Sequence, residues 1–162
     1  MGRKGVEAFE LNMATIHLTT LIHAPIKACF DAARSVDAHL SSAAGTNEKV
    51  VAGRMTGLFE AGDIVTWEAN HLGIRQRLTV EIGRMIVPTF FEDKMLKGAF
   101  KSMRHEHHFA DDNGITVMTD IFQYEVPFGI LGALFDKLYL ESYMRRFLQK
   151  RNLHLKEALE KV

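Results

Sequence analysis

The sequence contains a single cysteine, Cys29, so no disulfide bond can form within the chain. A disulfide-stabilised fold is therefore excluded, and one unpaired cysteine fits a reducing compartment. Because Cys29 lies in an apolar stretch beside Phe30, we expect a buried and unreactive thiol. With 162 residues, the chain is long enough to bury a core that needs neither disulfides nor a structural metal.

Long apolar runs are also missing from the sequence. The longest candidate, residues 128–135, ends at Asp136, and a bilayer-spanning helix needs about 20 apolar residues. The opening segment, MGRKGVEAFELN, lacks the apolar run of a signal peptide. We therefore expect a cytoplasmic protein without stable membrane insertion. Because regular patterning starts only after Met13, residues 1–13 are expected to be an extension or a flexible N-terminus, and residues 14–162 a single domain.

The chain has no excess of either charge, since 20 basic residues balance 20 acidic ones. This balance disfavours nucleic acid as a partner. The densest basic cluster, Arg145, Arg146, Lys150 and Arg151, has the spacing of a solvent-facing helix surface. Phosphate-binding glycine loops, a dinucleotide fingerprint, G-x-S-x-G and Cys-x-x-Cys are absent. We therefore expect no cofactor, and nucleotide chemistry and serine hydrolysis lose most of their support.

Local patterning predicts strands followed by helices. Residues 14–23 alternate between apolar and polar side chains, as in a strand. Pro25 then begins a short helix, and Asp37 is expected to cap a second one. Further strands are predicted at 49–53, 64–72, 74–87, 89–96, 99–110 and 115–126. Asn113-Gly114 is a strong signal for a hairpin between the last two strands.

After Pro127 the apolar residues recur every three or four positions, which predicts one helix over residues 128–159. The predicted fold class is therefore α+β: a curved antiparallel sheet of six to seven strands wrapped around one long C-terminal helix, with two short helices after the first strand. A sheet covered on one face by a single helix must curl around it. Such an arrangement leaves a cleft between sheet and helix where a small ligand can bind.

The segment GAFKSMRHEHHF, residues 98–109, carries the most chemical information. His105 and His107 share one strand face with apolar neighbours, so we expect them to point inward, about 7 Å apart. Three interpretations stay open for them: hydrogen-bonded neutral core histidines, acid–base or ligand-positioning groups, or zinc ligands completed by His71 or Asp120. Counting outward from the hairpin turn places Asp120 close to His105, so we expect a His–Asp contact.

Two sets of candidate site residues follow from this pattern. The acid–base candidates are His105, His107, Asp120 and Tyr124. The candidates for contact with an apolar ligand are Trp67, Phe90, Met103, Phe109, Phe122, Phe128, Leu131 and Phe135. We expect no metal, because the candidate zinc site lacks clear third and fourth ligands.

Three segments resemble the START-like superfamily, also called SRPBCC or helix-grip proteins, in particular bacterial polyketide cyclases, dehydrases and lipid-transport members. The segment IHAPIKACFD resembles a first strand that runs into a proline-initiated helix. FKSMRHEHHF resembles a late strand with His-x-His, although similar sequences often carry Trp at Met103. MTDIFQYEVPFGILGALF and FLQKRNLHLKEAL resemble the approach to the gripping helix. The resemblance covers the chain from about Ala14 onward.

The resemblance implies a cavity for a hydrophobic molecule such as a lipid, polyketide, sterol-like compound or quinone, which the protein binds or transports. An alternative is a cyclase or dehydratase, a lyase or isomerase without a nucleotide cofactor. In that case His105 or His107 would be the general base, and Asp120 or Tyr124 would orient it or donate. A third alternative is a protein-interaction module. A monomer or a homodimer is compatible with all three.

Overall fold

The structure, a computed structural model, describes residues 13–161. The predicted N-terminal extension before Met13 lies outside the described residues. The strands are β1 Met13–Ile22, β2 Lys49–Gly53, β3 Ile64–His71, β4 Ile74–Ile86, β5 Phe90–Lys97, β6 Ser102–Asp112 and β7 Ile115–Glu125. The helices are α1 Ile26–Ala33, α2 Val36–Ser42, α3 Gly129–Phe135 and α4 Glu141–Glu160, with a 3₁₀ turn at Ala44–Thr46 and a π-helical turn at Asp136–Leu140.

The strands form one antiparallel sheet in the order β1-β7-β6-β5-β4-β3-β2. Asn113 and Gly114 both have positive φ, 55° and 86°, as the predicted tight hairpin requires. Register shifts along β4, between Thr79 and Val80 and again between Ile82 and Met85, mark irregular pairing with β5. Such irregularities increase the bend of a sheet. The predicted α+β class with a helix-gripping sheet is confirmed.

The two short helices lie where the sequence predicts them, but the cap of α2 differs. Ser35 accepts a hydrogen bond from the Ala38 amide at 3.2 Å, so Ser35 is the N-cap and the prediction for Asp37 was wrong. Asp37 instead lies in the first turn of α2, where a carboxylate interacts favourably with the helix dipole. Cys29 in α1 is buried, and burial raises the pKa of its thiol.

The predicted long C-terminal helix is present from Gly129 to Glu160, because the π-helical turn continues α3 into α4 without leaving helical dihedral angles. Met144 and Leu148 are the side chains that α4 buries. Within residues 13–161, no helix combines the length and apolar character that a bilayer crossing requires.

Two apolar clusters lie between sheet and helix. The first includes Ile16, Leu18, Val36, Phe59, Val65, Trp67, Val80, Ile82, Met103, Phe122, Tyr124, Met144 and Leu148. The second includes Ile22, Ala24, Cys29, Phe30, Phe91, Phe109 and Met118, with Leu155 and Leu159 packed against it. Along β5, β6, β7 and α4, the residues between the two clusters are polar: Asp93, His105, His107, Asp120 and Asn152. We call these five residues the polar layer.

Candidate functional site

A cavity of about 430 Å³ lies between the concave face of the sheet and the helix, on the side of the first cluster. Most of its lining is apolar, contributed by β3 to β7 and by both halves of the long helix. This volume lies within the usual range for small-molecule sites. The polar layer closes one end through Asp93 and His105.

Of the eight side chains predicted from the sequence to contact a ligand, five line this cavity: Trp67, Met103, Phe122, Phe128 and Phe135. Trp67, Met103 and Phe122 are buried in the wall, whereas Phe128 and Phe135 are exposed. The alternation of strand side chains placed the first three correctly on the concave face.

The other three nominated side chains do not line the cavity. Phe109 belongs to the second apolar cluster, where its ring packs against Phe30 at a centroid distance of 5.4 Å. Phe90 pairs with His108 on the convex face, and the Arg84 guanidinium covers its ring at 4.6 Å. Leu131 points into solvent with 76% of its surface exposed. The position of Phe90 follows from strand alternation: neighbouring residues point to opposite faces of the sheet, so Phe91 points inward and Phe90 outward.

Exposed apolar side chains flank the opening of the cavity. Phe128 and Gly129 both have positive φ, and this sharp turn leads from β7 into α3. The ring of Phe128 is 85% exposed although it also lines the cavity. Exposed apolar neighbours in α3 and in the β3–β4 turn are Ile130, Leu131, Leu134, Leu72 and Ile74. We call this rim the mouth.

Asp120 is the centre of the polar layer. One oxygen, Oδ1, accepts hydrogen bonds from Nε2 of His105 and Nδ1 of His107, each at 2.9 Å. The other, Oδ2, accepts from the side-chain amide of Asn152 at 2.7 Å. Burial raises the pKa of Asp120, but the hydrogen bonds from His105 and His107 outweigh it and hold this pKa well below its usual value. The predicted His–Asp contact is therefore present, and Asp120 is ionised.

His107 lies between two carboxylates. Its Nε2 is 3.3 Å from Oδ2 of Asp93, while its Nδ1 faces Asp120. Burial lowers the pKa of His107, but hydrogen bonds to Asp120 and Asp93 raise it to about 9. At neutral pH the ring is therefore an imidazolium that donates from both nitrogens.

His105 has the opposite protonation state. Burial, and then the positive charge of His107, lower its pKa to about 4, so the ring is neutral. Because its Nε2 donates to Asp120, its Nδ1 carries a lone pair, and within residues 13–161 this atom has no hydrogen-bond partner. The ring centroids of His105 and His107 are 3.9 Å apart. The expected separation of 7 Å was wrong because both rings lean toward the same oxygen of Asp120.

Asp93, His105 and His107 are the group within the described residues that could hold a metal ion, with one potential ligand atom each, all within 4.8 Å of one another. His71, an earlier candidate ligand, instead hydrogen-bonds the Tyr143 hydroxyl at 2.8 Å. A metal ligand needs an unprotonated nitrogen. Both nitrogens of His107 face carboxylates, so a metal ion bound at His107 would have to displace a proton from it.

Tyr124 fastens the helix to the sheet. It is 1% exposed, it is absent from the cavity lining, and its hydroxyl donates to Oδ1 of Asp136 at 2.5 Å. Burial, followed by this contact with the carboxylate, raises the pKa of the phenol. The side chain nominated as a proton donor thus faces the π-helical turn rather than the cavity.

A second polar group, which sequence reasoning missed, lies in the cavity wall beside Trp67. His39 stacks on Trp67 with ring centroids 4.0 Å apart. Its Nε2 contacts Oε1 of Glu48 at 2.8 Å, and Nη2 of Arg151 donates to its Nδ1 at 3.0 Å. We call Glu48, His39 and Arg151 the wall triad. The expectation that Arg151 faces solvent was wrong: Leu148, Arg151 and Leu155 are spaced by three and four residues and share the inward side of α4.

Comparisons with known proteins agree with this architecture. No family model and no curated protein matches the chain. Among solved structures, TTHA0849 from Thermus thermophilus is 19% identical with a TM-score of 0.75, covering 91% of this chain and 98% of that one. The Zhui aromatase/cyclase from Streptomyces is 12% identical with a TM-score of 0.73, covering 92% and 94%. A START superfamily protein from Mycobacterium smegmatis is 11% identical with a TM-score of 0.67, covering 91% and 97%. These likenesses confirm the predicted START-like helix-grip fold.

Proposed function

We propose that the protein binds a small hydrophobic molecule in the cavity between its sheet and its long helix. The observation that carries this proposal is the volume of about 430 Å³ with mainly apolar walls. Protein interiors are normally packed as densely as organic crystals, and an unfilled void forfeits dispersion contacts. A ligand that fills the cavity restores those contacts and removes its own apolar surface from water.

The mouth supports entry of an apolar molecule from outside. The side chains that define it, among them Phe128 and Ile130, are apolar and exposed, so an apolar molecule can contact them before it enters the cavity. We therefore assign the exposed apolar side chains of the mouth to ligand entry. A separate protein-interaction surface is not needed to explain their exposure. Lipids, polyketides, sterol-like compounds and quinones share the required apolar body, and transport would follow from reversible entry.

Native mass spectrometry of the purified protein, followed by solvent extraction, tests this function directly. N-phenyl-1-naphthylamine, a neutral fluorescent probe, reports on the cavity in protein without a co-purified molecule. We expect Phe135→Arg to abolish uptake, because a guanidinium would enter the apolar cavity. Leu138→Arg is the matched control, since it adds the same charge to the long helix outside both the cavity lining and the mouth. Equal uptake by wild type and both variants, or equal loss in both variants, contradicts the proposal.

A second candidate is proton-transfer catalysis of the cyclase or dehydratase type. The observation that favours it is His105, a neutral imidazole in the cavity wall that Asp120 orients through Nε2. A positioned base of this kind accelerates proton transfer by about 10²–10⁴. His107 and Tyr124, which do not line the cavity, then act through their neighbours rather than on the ligand.

Exchange of the α-protons of a soluble 1,3-diketone with deuterated buffer, followed by NMR, tests this candidate. We expect the wild type to accelerate exchange and His105→Gln to return it to the buffer rate. His108→Gln is the control, because His108 is on the convex face and contacts Glu106. Exchange at the buffer rate in the wild type would eliminate base catalysis and leave binding intact.

A further inference from the structure

Two buried polar atoms in the cavity wall lack a hydrogen-bond partner. They are Oε2 of Glu48 and Nε of Arg151. Among the fully buried side-chain nitrogen and oxygen atoms of residues 13–161, these two are the ones without a hydrogen-bond partner. Only 8% of the Glu48 side chain is exposed, and both residues line the cavity. An unpaired buried donor or acceptor costs free energy, and an ionised one costs more. An acceptor and a donor therefore lie unused in the same wall.

The wall triad explains why these two atoms are free. Arg151 uses Nη2 to donate to Nδ1 of His39, which uses Nε2 to donate to Oε1 of Glu48. This chain of donors requires a neutral imidazole, and burial together with the charge of Arg151 lowers the pKa of His39. Stacking on Trp67 fixes the plane of His39. The triad is thus preorganised, and each end presents one remaining polar atom.

We propose that Oε2 of Glu48 and Nε of Arg151 form a polar subsite that binds the hydroxyl group of an otherwise apolar ligand, such as a phenol or an alcohol. This inference rests on the proposed function. A hydroxyl group is neutral, donates one hydrogen bond and accepts others, so the same group carries the donor that Oε2 of Glu48 lacks and the acceptor that Nε of Arg151 lacks. The remaining apolar body of the ligand then extends along the cavity toward the mouth.

The charges around the subsite discriminate against other polar groups. A ligand carboxylate would accept from Arg151, but its charge would repel Glu48 and the nearby Asp93, which lines the same cavity. A ketone accepts from Arg151 and leaves Oε2 of Glu48 unsatisfied. An ammonium group donates to Glu48 and meets the positive charge of Arg151. The hydroxyl group is therefore the match for this wall.

Three probes with one apolar body test the subsite: 2-naphthol, 2-methylnaphthalene and 2-naphthoic acid. Each is titrated into the wild-type protein in competition with N-phenyl-1-naphthylamine. We expect 2-naphthol to bind roughly tenfold or more tightly than 2-methylnaphthalene, as a hydrogen bond to a charged group predicts. We expect 2-naphthoic acid to bind least tightly of the three.

Glu48→Gln and Arg151→Met should each reduce the preference for 2-naphthol to less than threefold while the affinity for 2-methylnaphthalene stays the same. Glu60→Gln and Arg146→Met, whose side chains are outside the cavity lining, are matched controls. A variant that also loses its affinity for 2-methylnaphthalene is treated as misfolded. If Arg151→Met behaves in this way, Arg151→Lys replaces it, since lysine keeps the positive charge and lacks the Nε–H donor.

The failures of the two proposals are distinguishable. Equal affinity of wild type for 2-naphthol and 2-methylnaphthalene overturns the hydroxyl subsite and leaves hydrophobic binding standing. A preference for 2-naphthol that survives both Glu48→Gln and Arg151→Met also overturns the subsite. Absence of binding for all three probes and for N-phenyl-1-naphthylamine refutes both proposals together.

Discussion

Replacing Asp120 with asparagine should destabilise the protein strongly although the two side chains have the same shape. In the native structure Oδ1 of Asp120 accepts from two histidines, and Oδ2 accepts from the amide of Asn152. An asparagine has one acceptor oxygen and one donor nitrogen. If its oxygen faces the histidines, its NH₂ opposes the NH₂ of Asn152, and if it flips, its NH₂ opposes two imidazole donors.

Both orientations also leave the His107 imidazolium with one carboxylate, Asp93, instead of two. Removing one partner from a buried ion pair costs about 3–5 kcal/mol. We therefore expect Asp120→Asn to lower the free energy of unfolding by about that amount at neutral pH. The measurement is urea denaturation followed by circular dichroism, which gives the midpoint and the slope for a two-state transition.

A double variant that combines Asp120→Asn with Asn152→Asp provides the control for this reasoning. It exchanges the carboxylate and the amide across the contact, so the amide introduced on β7 can donate to the carboxylate introduced on α4. The oxygen of the same amide still accepts from His105 and His107. We expect the double variant to recover a substantial part of the lost stability. A loss below about 1 kcal/mol for Asp120→Asn, or no recovery in the double variant, would refute the donor–acceptor argument.

Three further predictions concern pH, backbone and metal. The pKa of His107 is raised from 6.5 to about 9, so its stabilising contribution is complete below pH 6.5 and is lost as pH rises toward 9. We expect the free energy of unfolding to fall by at most about 1.4 kcal/mol per pH unit in this window. His107→Gln should remove this pH dependence. The same pH dependence in His107→Gln as in the wild type would argue against the raised pKa. Gly132→Ala would place Cβ 1.9 Å from the Pro127 carbonyl oxygen, so we expect the free energy of unfolding to fall by roughly 1–3 kcal/mol. Thermal melting measures this loss, and an unchanged melting temperature would contradict the prediction. Elemental analysis after dialysis against EDTA should find no stoichiometric metal, and one retained zinc per chain would overturn this expectation.

The fold follows from local patterns because each depends on neighbouring residues. Strand alternation, the Asn113-Gly114 turn and the helical spacing after Pro127 are all short-range signals. The same turn fixes the register of β6 on β7, which is why a contact of Asp120 with His105 or its neighbours could be counted from the sequence; the residue directly opposite Asp120 is His107. A cytoplasmic location, the absence of a nucleic-acid partner and the oligomeric state stay predictions from composition.

The rest of the site depends on contacts between distant segments. Asp93 meets His107 only through the pairing of β5 with β6, and no tight turn in the sequence fixes that register. Glu48 follows His39 by nine residues across an irregular segment, whereas Arg151 reaches His39 from α4, 112 residues away. The outward direction of Leu131 and Leu138 was also unpredictable, because the π-helical turn changes the phase of the helix between α3 and α4.

The polar layer divides the interior into two compartments that evolution can change independently. On one side, Phe30, Phe91 and Phe109 pack in edge-to-face and stacked contacts, so we expect large-to-small substitutions there to lower stability. On the other side the walls surround open space, so a larger or smaller residue alters which molecules fit before it threatens folding. Under the proposed function, substitutions around the cavity therefore change which molecules fit, while the packed compartment preserves the scaffold.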